Sequence, residues 1–235
     1  MDGSMTSLAK SFEQATSNEA DTRVNEQYDK LISLIKDTFG TDSARTKSLL
    51  ALYSDYEDRV KEAPASARRH YHLAYEGGYL DHIHNVVQCA IQMTKLYKAM
   101  GGVVDFTKEE LIFVALHHDL GKLGTLDEPY YVVQDSDWHR KNKNEVFKHN
   151  EDRQFMTTSD LSWFILQNYG VTMTQQEMIA IKLTDGLYAD SNKDYLKQYG
   201  AGYYPLRSNL HKIMHWADHM AASIENDPVR QADTR

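Results

Sequence analysis

The chain has 235 residues, 41% hydrophobic and 26% charged, enough to bury a sizeable core without disulfides or a structural metal. Its 26 basic and 34 acidic residues give a formal net charge of −8, which argues against bulk attraction to long nucleic acid or an anionic membrane. The longest apolar run, Leu111 to Leu116, is too short to span a bilayer; the first residues lack the apolar segment of a secretory signal; and the single cysteine, Cys89, fits a reducing, cytoplasmic setting.

Residues 1–22 are polar and read as a flexible tail. Tyr28, Leu31, Ile32, Ile35 and Phe39 recur at helical spacing up to Gly40, and Leu49, Leu52, Tyr53, Tyr56 and Val60 mark a second helix that stops near Pro64. Residues 23–62 are therefore expected to form N-terminal helices packed on a main domain at 63–226. Within that domain, 78–100 carries Val86, Ala90, Met93, Tyr97 and Met100 along one side of a helix. Thr107 and Glu110 form a capping box that decides for helix, not strand, in LIFVALHHDL. Tyr130 to Val133 and Val146-Phe147 flank a polar loop and suggest a small hairpin. Ser159 is the expected cap of a helix ending at Gly170, and Thr174 with Glu177 opens another that ends at Gly186. A tyrosine-rich loop follows (Tyr188, Tyr195, Tyr199, Tyr203, Tyr204), read as an aromatic-pinned solvent loop or a lid that stacks on a base. The last helix carries Leu210, Ile213, Met214, Ala217, Met220, Ala221 and Ile224, and 227–235 reads as a polar tail. The expected fold class is all-α with a small β-hairpin insertion.

Three segments carry groups that could do chemistry. His117-His118-Asp119-Leu120-Gly121-Lys122 follows directly on an apolar helix, where a carboxylate needs a partner or a cation. Imidazole plus carboxylate suits a divalent ion, although histidines at a helix C-terminus are also favoured by the macrodipole alone. His82 and His84 stand near the start of a helix, two residues apart, and so cannot both face one site. Asp218 borders the apolar stripe of the last helix.

GGYLDH, HHDLGK and HWADHMAA, in that order on three helices, resemble the HD-domain superfamily of metal-dependent phosphohydrolases, over roughly residues 62 to 225. The resemblance implies an HD-domain helical bundle with His82, His118, Asp119 and Asp218 as metal ligands. It implies one divalent ion (Fe, Mn, Co, Ni, Zn or Mg), with room for a second. Pro64-Ala65-Ser66 and His72-Leu73-Ala74-Tyr75-Glu76-Gly77-Gly78 are similar to a run in a subgroup that includes nucleases trimming RNA from its 3′ end. No separate nucleic-acid-binding barrel accompanies it here.

The same resemblance gives His149 a ligand or phosphate-binding role, against an alternative as a surface histidine at the hairpin edge. It leaves Asp185 as ligand, substrate contact or general base. Thr184-Asp185-Gly186 stands where members with larger sites often carry His before the glycine, which puts a two-metal site in doubt. Lys122 is expected to neutralise phosphate charge, and Arg69 and His72, with Arg68, to contact substrate unless they are simply exposed. His215 is expected to orient a ligand or to pack. The implied activity is hydrolysis of a nucleotide, a nucleoside monophosphate or deoxynucleoside triphosphate, by metal-activated water. The alternatives are a phosphodiesterase on cyclic or short oligonucleotides and a non-catalytic nucleotide-binding protein. The expected partner is a small nucleotide or phosphate ester, with no membrane, no long nucleic acid, and self-association left open.

Overall fold

A computed structural model describes residues 3–196 and 206–226, with side chains described from residue 21 onward. The expected tail at 227–235 and three tyrosines of the aromatic loop, Tyr199, Tyr203 and Tyr204, lie outside the described residues. The architecture is mostly helical. In chain order it comprises α1 (Gly3–Phe39), α2 (Ala44–Asp55), α3 (Glu57–Glu62), α4 (Gly78–Ala99) and α5 (Lys108–His117). These are followed by β1 (Tyr131–Val133), α6 (Asp137–Lys143), β2 (Phe147–His149), α7 (Thr158–Asn168), α8 (Gln175–Leu183), α9 (Lys193–Leu196) and α10 (Leu210–Glu225). Among the described residues, no helix is long and apolar enough to cross a membrane.

Sequence periodicity located most of these elements but not α9, which lies in the expected aromatic loop, and α8 ends at Leu183, short of Gly186. Helical backbone begins at Gly3, so α1 extends through the stretch expected to be a flexible tail. The second expected helix is split, because the chain bends at Tyr56 between α2 and α3. Thr157, not Ser159, caps α7 by accepting from the Asp160 amide; the Ser159 side chain lies inside the first turn. The hairpin is present as antiparallel β1 and β2, but its connection contains α6, a fully solvent-facing helix capped by Ser136.

The core forms around α5, whose residues Leu111 to His117 are all buried. The capping box holds both ways: Thr107 accepts from the Glu110 amide at 3.1 Å and the Glu110 carboxylate accepts from the Thr107 amide at 3.0 Å. Leu31 and Ile35 of α1, Leu49, Leu52 and Tyr53 of α2, and Leu80, Ile83 and Val86 of α4 are buried in the same cluster. Ile213, Met214 and Ala217 of α10 and Ala180 and Ile181 of α8 complete it, with α10 packed on α4 and α8 on α5 and α10. An ion pair locks the periphery: Arg45 forks onto the fully buried Glu177 at 2.6 and 3.0 Å and lies over the Phe113 ring.

Two glycines position the site. Gly77 opens α4 at φ +81, a conformation that costs other residues dearly, and a Cβ on Gly78 would stand 2.1 Å from the Leu73 carbonyl oxygen. The segment that brings His72 to the site therefore folds flat onto the start of α4. Gly121 acts by the same close approach: its Cβ would stand 2.1 Å from the Thr158 carbonyl oxygen, and its amide donates to Ser162 Oγ at 2.8 Å. The 3₁₀ turn Leu120–Leu123 that carries Lys122 is thus clamped against α7.

Candidate metal centre

The four expected ligands come from three helices and meet. His82 projects from the second turn of α4, His118 and Asp119 follow the C-terminus of α5, and Asp218 lies midway along α10. His82 Nε2 is 3.2 Å from Asp218 Oδ1 and 3.5 Å from Asp119 Oδ2. His118 Nε2 is 3.6 Å from the same Asp218 oxygen and 3.5 Å from the same Asp119 oxygen. Ligand atoms of His82, His118 and Asp218 all fall within 4.8 Å of one another.

The tautomers are set from behind. His118 Nδ1 donates to the Ala115 carbonyl at 2.9 Å, a bond made available because the last carbonyls of α5 lack helical partners. His82 Nδ1 donates to the Glu225 carboxylate at 3.0 Å. Both imidazoles therefore present Nε2 lone pairs inward, and both Nε2 atoms are buried without a hydrogen-bond partner. Two orphaned acceptors facing two carboxylates is the donor set a divalent cation satisfies, so the residues fit such an ion.

The carboxylates favour positive charge at these nitrogens, where a proton and a metal cation would compete. Burial pushes the His82 imidazolium down, but Asp119, Asp218 and Glu225 outweigh it and hold its pKa well above the usual value. His118 is raised in the same way by Asp119 and Asp218 against its burial. Burial would raise Asp119 and Asp218, yet Lys122 with the two histidines holds Asp119 well below the carboxylate range, and the histidines do the same for Asp218. Lys122 donates to Asp119 Oδ2 at 2.6 Å, and that carboxylate outweighs burial to keep the ammonium charged.

No family model, curated protein or solved structure matches the chain.

The remaining expected residues divide. His117, the other half of the doublet, turns into the core. It packs against Phe113 and Tyr53, its Nδ1 donates to the Phe113 carbonyl, and burial pushes its pKa down to about 3. His84 points away to the Gln27 carbonyl on α1. His72 does reach the centre: its ring lies 4.8 Å from that of His82, and burial and Lys122 lower its pKa to about 4. It sits behind the first ligand, with His82 and Glu225, rather than in open substrate space.

Arg69 does not reach the centre. It lines a separate cleft of about 990 Å³ with Arg23, Tyr75, Asn85 and one side of Glu225. Its backbone explains this, because the Arg69 amide donates to the Asn144 carbonyl beyond α6 and carries the side chain outward. His149 is exposed on β2 and belongs to neither convergent ligand group among the described residues. Asp185 is also outside both groups. It stands exposed in the turn after α8, within the field of Asp119, Lys122 and Asp218, and desolvation with Asp119 raises its pKa. His215 donates from Nδ1 to the Thr184 carbonyl at 2.7 Å, and its ring fills the space a Cβ would take at Gly186. It braces the turn that carries Asp185 and, among the described residues, belongs to neither ligand group.

Two participants escaped sequence reasoning. Glu225 lies seven residues after Asp218, two helical turns along the same face of α10; that spacing was the signal. Tyr131 stands on β1 beside Lys122, with its phenol pKa pushed up to about 12 by burial. Nothing in its local sequence separated it from Tyr130.

Proposed function

We propose that this chain is a metal-dependent phosphohydrolase of the HD-domain kind, acting on a nucleoside monophosphate or deoxynucleoside triphosphate. One observation carries the reading: His82, His118, Asp119 and Asp218, distant in sequence, converge with two buried imidazole nitrogens lacking hydrogen-bond partners. A divalent ion held by these four would supply Lewis acidity towards a phosphoryl oxygen and lower the pKa of water at neutral pH.

The protein's own residues do the rest. The Ala115 carbonyl and Glu225 fix the imidazole tautomers. Lys122, held by Asp119, keeps a fixed positive charge where negative charge develops on phosphoryl oxygens. Asp185, at the rim and within the field of Asp119 and Asp218, would carry a proton between solvent and the ester oxygen. A cytoplasmic location accompanies this reading, in keeping with a chain that has a single cysteine, Cys89.

The test is metal analysis of the purified protein, followed by phosphate release from a nucleotide panel in that metal. Turnover that disappears in Asp119→Ala is expected. A metal-loaded protein that binds nucleotides but releases phosphate from none would overturn the catalytic reading in favour of a sensor. Cleavage of a short labelled RNA with mononucleotides untouched would replace it with a phosphodiesterase.

A further inference from the structure

We propose that the hairpin beside Lys122 forms a subsite for a second anionic group of the substrate, with Arg153 as its cation and Tyr131 and His149 as flanking aromatic partners. The substrate class is then nucleoside di- or triphosphates rather than monophosphates. This deepens the phosphohydrolase reading and depends on it for the place of cleavage.

The register of the hairpin sets Tyr131 directly opposite His149, with ring centroids 5.1 Å apart. The His149 ring also meets Tyr130 at 5.2 Å, and the Arg153 guanidinium lies 4.2 Å from the Tyr130 centroid. Three cations, Arg153, Lys122 and Arg68, act on this one exposed imidazole, with Glu145 as the opposing carboxylate. Tyr131 in turn feels both Lys122 and Arg153. The hairpin thus joins the metal centre, through Lys122, to Arg153.

The three cations are not equivalent. Lys122 is held by Asp119 at 2.6 Å and Arg68 by Glu145 at 3.2 Å. Arg153 makes no ion pair among the described residues. Its guanidinium reaches only the backbone carbonyls of Gln154 at 3.3 Å and Met156 at 3.5 Å, and its Nε is buried with no hydrogen-bond partner. A partly desolvated guanidinium without a counter-ion is costly, and its planar fork matches phosphate oxygens. In a chain of net charge −8, a guanidinium without a carboxylate partner among the described residues marks where a second anionic group would be drawn. Lys122 then serves the phosphoryl group being cleaved, while Arg153 serves one further along the same chain of phosphates.

The experiment compares binding of inorganic tripolyphosphate and orthophosphate to the full chain by titration calorimetry, with and without Mn²⁺, in wild type, Arg153→Gln and Arg153→Lys. Wild type is expected to prefer tripolyphosphate by about tenfold or more, the worth of one charge-assisted hydrogen bond. Arg153→Gln is expected to lose that preference and Arg153→Lys to keep part of it, with Mn²⁺ content unchanged. If Arg153 merely packs on Tyr130, the preference survives in Arg153→Gln, and the proposal is overturned. Equal binding of the two anions by wild type overturns it as well. Failure of the underlying reading looks different: the tripolyphosphate preference and its loss in Arg153→Gln persist, but no nucleotide is hydrolysed.

Discussion

Glu225 grips His82 from behind, its Oε2 accepting from Nδ1 at 3.0 Å while its other oxygen accepts from Asn85 at 2.8 Å. Both partners are buried, so the carboxylate fixes the orientation of the imidazole and makes its inward nitrogen more basic. Glu225→Ala is expected to weaken Mn²⁺ or Zn²⁺ affinity by about 10- to 100-fold, with a smaller loss in Glu225→Gln, which keeps an acceptor. Titration calorimetry of chelated protein measures it. Unchanged affinity in both variants would show that His82 is held without its carboxylate.

Metal binding should stabilise the fold without being needed for it, because the core around α5 is large. At about one hundred times its dissociation constant, a bound ion contributes roughly 2.7 kcal/mol, or about 5 to 10 °C in Tm for a chain of this size. Asp218→Ala is expected to abolish that shift while leaving a cooperative transition in the metal-free protein. An equal shift in the variant would place the ion elsewhere.

Gly121→Ala tests the clamp between the Lys122 turn and α7. The added methyl meets the Thr158 carbonyl, which is backbone and cannot swing aside. A loss of about 1 to 3 kcal/mol in chemical denaturation is expected, together with weaker activity, because Lys122 shifts with the turn. A neutral substitution would mean that α7 yields easily.

Tyr28 gives the fold an alkaline limit. Its hydroxyl donates to the Tyr53 carbonyl at 2.7 Å, and burial with Glu57 raises its pKa from 10 to about 12. The folded chain therefore holds this proton where the unfolded chain releases it. The resulting stabilisation is complete below pH 10 and is lost between pH 10 and about 12. Tyr28→Phe should cost about 1 kcal/mol at neutral pH and flatten the fall of Tm across that alkaline window. The same slope in both proteins would assign alkaline unfolding to other groups.

Much of this molecule was legible from residue patterns, for identifiable reasons. The capping boxes at Thr107 and Thr174 and the stops at Gly40 and Gly170 are local chemistry, so they could be read without a fold. The order of His82, His118-Asp119 and Asp218 pointed to the residues that the helices bring together. Reading failed where the answer depended on tertiary direction. Arg69 looked equivalent to His72, yet a backbone bond to Asn144 sends it to another cleft while His72 packs against His82. Asp185 and His149 stop at the rim because their turn and strand border the centre from outside. Helix α6 has no buried residue, so no hydrophobic period announced it.

The candidate centre draws its side chains from α4, the C-terminal end of α5 and α10, segments that become neighbours only when the bundle folds. An ion held there would work as a rivet between three helices of the bundle: while it is seated, none of them could peel away alone without losing a ligand. Backbone amides of α10 in the loaded protein should then exchange with deuterated solvent only when the whole bundle opens, whereas those of outlying α6 exchange freely in either state.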